Sequence, residues 1–131
     1  METDIVEWKV RAIRGATTAS ANTKEAIREA VVELLDALEA RNTINPHHIV
    51  SVTFSVTRDL DAIFPASVAR ERPLWDDVPL LDVQQMYVKG SLERCIRILI
   101  HLNVAEPQPL IHHTYLRQAQ HLRPDWSVAE V

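Results

Sequence analysis

Three stretches of the chain alternate apolar with polar residues, a period of two that predicts half-buried β-strands. They cover residues 5–14, 49–57 and 94–102. In the first, one face carries Val6, Trp8, Val10 and Ala12, and the other carries Glu7, Lys9 and Arg11. The apolar faces of the other two consist of Val50, Val52, Phe54 and Val56, and of Ile96, Ile98, Ile100 and Leu102. The third stretch is the most apolar and predicts the best-defined strand.

One long amphipathic helix is predicted between the first two strands. Its apolar residues recur at helical spacing, as Ile27, Val31, Leu34, Leu35 and Leu38. Asn22 is the expected N-cap, and Glu25 three residues later completes a capping-box pattern. The helix should end near Asn42, because the Asn-Pro pair at 45–46 blocks its continuation.

The remaining elements are shorter. The small and polar run at 16–20 predicts a loop. A short helix is expected within residues 64–72, with Pro65 in its first turn. Two further strands are expected, at residues 78–84 and at about 114–122.

About five strands and one long helix predict an α+β fold built on a mixed sheet. We expect a single domain over residues 1–131, with a flexible tail after about residue 124. One helix covers one face of such a sheet, yet several strands carry apolar residues on both faces. Burial of the second face against other subunits predicts a homo-oligomer. The alternative is that loops and short helices cover that face.

Composition narrows the possible classes. The net charge is −4, which argues against a nucleic-acid-binding protein and its basic field. No apolar run is long enough to span a membrane, and the N-terminus lacks the features of a secretory signal. Cys95 is the only cysteine, so a cytoplasmic protein without internal disulfides is expected. The one strong bias is toward arginine, which supplies 11 of the 14 basic residues.

Arg97 is the most informative residue, because it lies in the middle of the apolar run Cys-Ile-Arg-Ile-Leu-Ile. A buried charge costs on the order of several kcal/mol unless it is paired. Either an acidic side chain or a ligand anion should therefore face Arg97. Arg14 supports the same reasoning, since it ends a strand beside Gly15 on the face of Trp8. For Arg14, a solvated strand end is an equally acceptable interpretation.

Other polar residues indicate chemistry less strongly. Asp82 interrupts an apolar segment and could pair with an arginine or accept a substrate hydroxyl, and Tyr115 combines an apolar ring with a polar tip. The adjacent histidines at 47–48 and 112–113 make poor metal clamps, because neighbours on a strand face opposite ways. No metal site is expected, and two glycines cannot form a phosphate-cradling loop.

Several short words of the sequence resemble the small monofunctional chorismate mutases of the AroH class, in that family's order and spacing. They are Arg-Ala-Ile-Arg-Gly-Ala-Thr-Thr at 11–18, Phe-Pro-Ala-Ser-Val-Ala-Arg at 64–70, Cys-Ile-Arg at 95–97 after Gly90, and Tyr-Leu at 115–116 with Leu-Arg-Pro at 122–124. Together they cover roughly residues 8 to 125, nearly the whole chain.

The resemblance implies a homotrimer in which packed sheets form a pseudo-α/β-barrel, with a chorismate pocket at each subunit interface. It implies that Arg97 stands at the breaking ether bond, that Arg14 grips a substrate carboxylate and that Tyr115 helps to hold one. Further implied substrate-binding residues are Phe64, Ala66, Leu80, Leu81 and Leu122, with Arg70 and Arg123 at the pocket mouth.

The chain departs from the family pattern at three of the implied pocket positions. It has Ser67 where a lysine can occur, Asp82 in place of a cysteine and Gln85 in place of a glutamate. We expect Asp82 to take over the negative charge and the hydroxyl-accepting role of that glutamate. Gln85 and Ser67 are then neutral members of the pocket.

The implied reaction is the pericyclic rearrangement of chorismate to prephenate, a step of phenylalanine and tyrosine biosynthesis. It needs no nucleophile, metal or cofactor, and a fixed cation at the ether oxygen stabilises the charge that develops there. Two alternatives from other classes are considered. One is a trimeric enamine/imine deaminase of the Rid type, and the other is a non-catalytic binder of a small dicarboxylate.

Overall fold

A mixed five-stranded sheet and one long helix form most of the structure, a computed structural model that describes residues 5–107 and 110–127. The strands are β1 (Trp8–Thr18), β2 (Ile49–Val56), β3 (Leu80–Gln84), β4 (Cys95–Ala105) and β5 (Thr114–Tyr115). The helices are α1 (Lys24–Arg41) and the short α2 (Pro65–Ala69), with 3-10 turns at Pro46–His48, Arg117–His121 and Pro124–Trp126. The predicted α+β class is confirmed, and Pro65 begins α2 as expected.

The strands lie in the order β3-β2-β4-β1-β5. β4 is antiparallel to β1 and β2, whereas the pairs β2–β3 and β1–β5 are parallel. The five predicted apolar residues of α1 are buried and form one core with Ile96, Ile98, Ile100 and Leu102 of β4. The apolar faces predicted for α1 and β4 are therefore confirmed. No helix among the described residues is long and apolar enough to cross a membrane.

The N-cap of α1 lies one residue beyond the predicted cap, Asn22. Thr23 is the N-cap, and its Oγ1 accepts a hydrogen bond from the Ala26 N–H at 3.0 Å. Asn22 holds a distant loop instead, since its Oδ1 accepts from the N–H groups of Asp61 at 3.0 Å and Ala62 at 3.1 Å. The expected end is confirmed, because Asn42 is the C-cap.

β1 continues to Thr18, so the loop predicted at 16–20 is wrong for residues 16–18. This segment is strand because it pairs with β4 on one side and with β5 on the other. Gly15 pairs with Ile98 and with Thr114 and also approaches Leu34 of α1. Gly15 is therefore needed for close packing between two strands and a helix.

Replacing Gly15 by alanine is expected to lower the free energy of unfolding by about 1–3 kcal/mol through overpacking. A Cβ there would lie 3.0 Å from the Thr114 carbonyl oxygen and 3.1 Å from Ile98 Cγ2. Urea unfolding of Gly15→Ala, with the exposed Ser20→Ala as control, measures the effect. Equal unfolding midpoints for Gly15→Ala and the native chain would contradict it.

β2 contains a β-bulge that the alternation did not reveal. Its pairing with β4 shifts between Ile49 and Ser51, so the face of the strand reverses there. Val52 and Phe54 are buried as predicted, but Val50 is 44% exposed and Ile49 is buried in its place.

The last strand is much shorter than the predicted 114–122. Only Thr114 and Tyr115 are strand, and the chain then turns at Arg117, whose φ is 52°. The Arg117 guanidinium binds Glu29 and Glu33 of α1, which draws the chain away from the sheet and into a 3-10 turn. These long-range contacts outweigh the local strand pattern.

A flexible tail was expected after about residue 124. Within it, Pro124–Trp126 form a 3-10 turn, and residues 128–131 lie outside the described residues. The prediction of one domain over residues 1–131 also reaches beyond the described ranges and stays a prediction.

The sheet face opposite α1 is open in the single chain, and this corrects the expected burial of the first strand. α1 covers the side of β1 that carries Ile13, while Trp8 is 50% and Val10 is 58% exposed. On β3 the same open face carries Leu81 and Val83, which are 58% and 39% exposed. Apolar side chains of this size on one face are typical of a surface that another chain covers.

Candidate active site

Arg14 and Arg97 lie close together on the open face of the sheet. Arg97 pairs with Ala16 of β1, and Arg14 pairs with Leu99 of β4, so the arginines are two pairs apart on adjacent strands. Both line a cavity of about 340 Å³. Within the described residues, no carboxylate lies at ion-pair distance from either guanidinium.

Arg97 carries a buried group without a partner. Its Nε atom is inaccessible to solvent and has no hydrogen-bond acceptor in the described part of the chain. Burial raises the pKa of the neighbouring Cys95 thiol, against the opposing effect of the Arg97 charge, so Cys95 stays neutral. Of the two interpretations of Arg97, a structural ion pair is not found among the described residues. Arg97 is half-buried on the open face, so the rest of its guanidinium is accessible to a ligand anion.

Tyr115 places a second unpaired group beside Arg97. Ala16 pairs with Arg97 on one side and with Tyr115 on the other, so both long side chains lie on one face and flank a methyl group. Tyr115 is 2% exposed, and its hydroxyl has no hydrogen-bond partner in the described residues. A buried hydroxyl and a buried guanidinium N–H without acceptors are arranged to receive a polar ligand.

The turns after β5 bring Leu122 and Arg123 to the same region. Leu122 and Trp126 pack against Ala16 and Tyr115. Arg123 donates to Asp125 through Nε at 3.0 Å and Nη2 at 2.8 Å, and this exposed hydrogen-bonded pair raises the pKa of Arg123. The first group of site residues therefore consists of Arg14, Arg97, Tyr115, Leu122 and Arg123.

A second group surrounds α2 and β3. Asp82 Oδ1 accepts a hydrogen bond from the Ala66 N–H at 3.0 Å, a cap that the Phe64 side chain cannot supply. Burial raises the pKa of Asp82, while the Ala66 N–H and the Arg70 charge oppose the rise. A cavity of about 670 Å³ is lined by residues that include Phe64 and Asp82. The group comprises Phe64, Ala66, Ser67, Arg70, Leu80 and Asp82, while Leu81 projects from the open face and Gln85 follows the end of β3.

Gln85 supplies a third buried polar atom without a partner. Its backbone N–H donates to the Val56 carbonyl at 2.8 Å, but its side-chain Oε1 has no donor among the described residues. Four buried side-chain atoms in that part of the chain lack partners, and three belong to predicted site residues, namely Arg97, Tyr115 and Gln85. The fourth belongs to Thr17. Unsatisfied buried groups are thus concentrated where a ligand was predicted.

The structure does not bring the two groups together within one chain. Ser55 pairs with Arg97 and Val83, whereas the next residue, Phe54, pairs with Asp82. Neighbouring residues of a strand face opposite ways, so Arg97 and Asp82 project from opposite faces of the sheet. The two side chains therefore do not face one another within a single chain.

Two residues near the first group were missed by the sequence reasoning. The sequence indicates His113 only as half of a poor metal clamp, and Trp126 only as part of a tail. His113 Nδ1 accepts the Arg14 backbone N–H at 3.0 Å, and its ring lies 4.0 Å from that of Trp126. The sequence did offer one signal, because Trp126 is an aromatic residue two positions after Pro124 of the Arg-Pro pair. No cluster of His, Cys, Asp and Glu in the described ranges could hold a metal ion.

Comparisons with known proteins agree on one family. A family model described as chorismate mutase type I matches residues 10–126. Chorismate mutase AroH of Bacillus subtilis is 39% identical over 121 residues, covering 92% of this chain and 95% of the relative. The AroH protein of Thermus thermophilus is 44% identical over 122 residues, covering 92% and 99%. A solved chorismate mutase from Clostridium thermocellum is 40% identical, with a TM-score of 0.78 over 85% of this chain and 98% of that one. The chain belongs to the chorismate mutase type I family.

Proposed function

We propose that the chain is a chorismate mutase that converts chorismate to prephenate without a cofactor, and that Arg97 is its central catalytic residue. The observation that carries this proposal is the Arg97 guanidinium, which has a buried Nε and no anionic partner in the described chain. Arg14 and the unpaired Tyr115 hydroxyl lie on the same sheet face. A dianion with an ether oxygen would satisfy all three groups.

The proposed mechanism is electrostatic and conformational. The rearrangement breaks one C–O bond and forms one C–C bond within a single molecule, so no nucleophile or base is required. Arg14, Tyr115 and Arg123 would hold the carboxylates and keep the enolpyruvyl side chain folded over the ring. Arg97 would donate to the ether oxygen, whose negative charge grows in the transition state. Its backbone is fixed by pairing on both sides of β4 before substrate binds.

A homotrimer with pockets between subunits completes the proposed site. Arg97 and Asp82 project from opposite faces of one sheet, so one subunit would supply Arg97 and its neighbour Asp82. The exposed apolar side chains on the open face, Trp8 and Val10 among them, would be covered in such an assembly. We propose that the packed sheets form a pseudo-α/β-barrel at its centre.

Asp82 would supply the acidic side of the pocket. One of its oxygens caps α2 through Ala66, and the other has no bonded donor among the described residues, which leaves it available to a substrate hydroxyl. Gln85 would then donate or accept as a neutral neighbour. Phe64, Ala66, Ser67, Leu80, Leu81 and Leu122 would form the wall, and Arg70 and Arg123 the mouth.

Replacing Asp82 by asparagine is expected to separate activity from stability. Asparagine can still accept from Ala66, but it lacks the charge that burial disfavours. The pKa of Asp82 is raised in the folded state, so protonated Asp82 favours folding. This contribution to the free energy of unfolding is complete below the unfolded-state pKa and is lost as the pH rises through the folded-state pKa. At pH 7 the variant should unfold at the native temperature or slightly above it, and this difference should vanish near pH 3.

In the same variant, kcat/KM should fall by about tenfold or more, the effect of one charged hydrogen bond. Thermal unfolding at both pH values and an activity assay at pH 7 measure the two effects. Asp82→Ala serves as the control, because it also removes the cap and should unfold at a lower temperature. An unchanged kcat/KM in Asp82→Asn would contradict the proposed role.

The activity itself is tested with the purified chain. Loss of chorismate absorbance, followed by acidification and detection of phenylpyruvate, would establish the rearrangement. Chorismate binding without prephenate formation would favour a non-catalytic dicarboxylate binder, and ammonia release from 2-aminoacrylate would favour a Rid-type deaminase. Neither alternative is favoured by the relatives found. The cytoplasmic location expected from the sequence stays a prediction.

A further inference from the structure

We propose that Trp126 is a positioning residue that holds the two carboxylate-binding arginines, Arg14 and Arg123, against its indole face. Trp126 ends the 3-10 turn Pro124–Trp126. The Arg123 Cζ lies 3.4 Å from the centre of the Trp126 ring, and the Arg14 Cζ lies 5.8 Å from it. Both distances lie within the range of a cation–π interaction. The inference rests on the proposed roles of Arg14 and Arg123 in substrate binding.

The indole is itself held by several elements. It packs with Tyr115 and Ala119, and its ring centre lies 5.9 Å from that of Tyr115. The Trp126 N–H of the backbone donates to the Arg123 carbonyl at 2.9 Å. Ser127 Oγ lies 2.9 Å from the Gln120 carbonyl oxygen and 3.0 Å from that of Arg123, which share its single hydrogen and tie this turn to the preceding one. The indole is therefore anchored independently of the arginine side chains.

An aromatic face suits this task better than a carboxylate. A protein carboxylate would occupy the guanidinium N–H groups that a substrate carboxylate needs, and it would neutralise the positive charge of the arginine. An indole interacts with the guanidinium while leaving those N–H groups available. Arg14 has no ion pair in the described residues, so its charge is fully available to a ligand. Arg123 pairs with the exposed Asp125, a partner that a bound anion can displace.

His113 also contacts the indole. Its ring lies 4.0 Å from the Trp126 ring, and its Nδ1 accepts the Arg14 backbone N–H at 3.0 Å. This bond requires an unprotonated Nδ1. Burial and then the charges of Arg14, Arg123 and Arg11 lower the pKa of His113, which keeps the ring neutral. The stack thus positions the arginines without adding a competing charge.

The test keeps the size of Trp126 and removes the electron density of its face. Tetrafluorotryptophan introduced at position 126 alone is expected to raise KM for chorismate about two- to thirtyfold, with kcat changed less than about twofold. Trp126→Leu should show the same increase, and Trp126→Phe should recover most of it. Leu92→Ala removes packing from the same cluster without touching the arginines, so it should lower thermal stability and leave KM unchanged.

Arg14→Gln separates failure of this inference from failure of the proposed site. If Arg14→Gln raises KM but tetrafluorotryptophan does not, the positioning role of Trp126 is wrong and the proposed carboxylate site stands. If Arg14→Gln leaves KM unchanged, the proposed site is wrong and the inference falls with it. If tetrafluorotryptophan lowers thermal stability but leaves KM unchanged, Trp126 serves only in packing.

Discussion

Replacing the Arg97 side chain by its neutral isostere citrulline is expected to lower kcat by at least about a hundredfold and to change KM little. Removing one preorganised donor to a developing oxyanion costs about 2.7–4 kcal/mol in comparable sites. Arg97 would face charge that grows only in the transition state, so the loss should appear in kcat. Citrulline keeps the Nε–H and replaces one terminal nitrogen of the guanidinium by oxygen, and Arg97 has no ion pair among the described residues, so no internal ion pair is lost.

Semisynthetic protein and steady-state kinetics on chorismate measure this effect. Arg97→Lys keeps the charge but lacks the planar fork, so it should also be poor. Citrulline at Arg94, which lies outside both groups of site residues, is the matched control and should have nearly native kcat. A kcat within about threefold of the native value in the Arg97 variant would exclude the proposed mechanism.

Mixing two inactive variants is expected to restore activity if neighbouring subunits share each pocket. Arg97→Gln disables the first group of site residues, and the double variant Arg70→Ala/Asp82→Ala disables the second. When subunits of a trimer assort at random, about one quarter of the pockets would receive two intact groups. The expected signal is large because each variant alone is nearly inactive.

The experiment is performed by denaturing the two variants together and refolding them. Arg97→Gln mixed with Arg14→Gln is the matched control, because both changes affect the same group and no pocket becomes intact. An affinity tag on one variant verifies that mixed oligomers form. Mixed oligomers that stay inactive in the first mixture would show that one chain supplies both groups.

The local pattern of apolar and polar residues predicted those elements whose structure depends mainly on residues nearby in the sequence. α1 and β4 follow their apolar periodicity, and Pro65 begins α2 as its ring geometry favours. The errors arose where distant contacts decide. The salt bridges of Arg117 to α1 end β5 early, and pairing with both β4 and β5 makes strand of the small residues after Gly15.

The candidate site divides in the same way. The costly position of Arg97 in an apolar strand was visible in the sequence, and its missing partner agrees with that reasoning. The cap that Asp82 provides to α2 was not visible, because residues 82 and 66 meet only when β3 lies beside α2. Trp126 was overlooked for the same reason, since its contacts with Arg14 span most of the chain.

The sequence by itself determined the α+β class, the long helix and the arginine in an apolar strand that requires an anionic partner. Periodicity and a charge within an apolar run are both properties of short segments. Only the tertiary structure decided which sheet face α1 covers. Alternation states which residues share a face, but not which face is buried. That choice leaves Arg97 on the open side of the sheet and Asp82 on the other, because paired residues of adjacent strands share a face and neighbours along a strand do not.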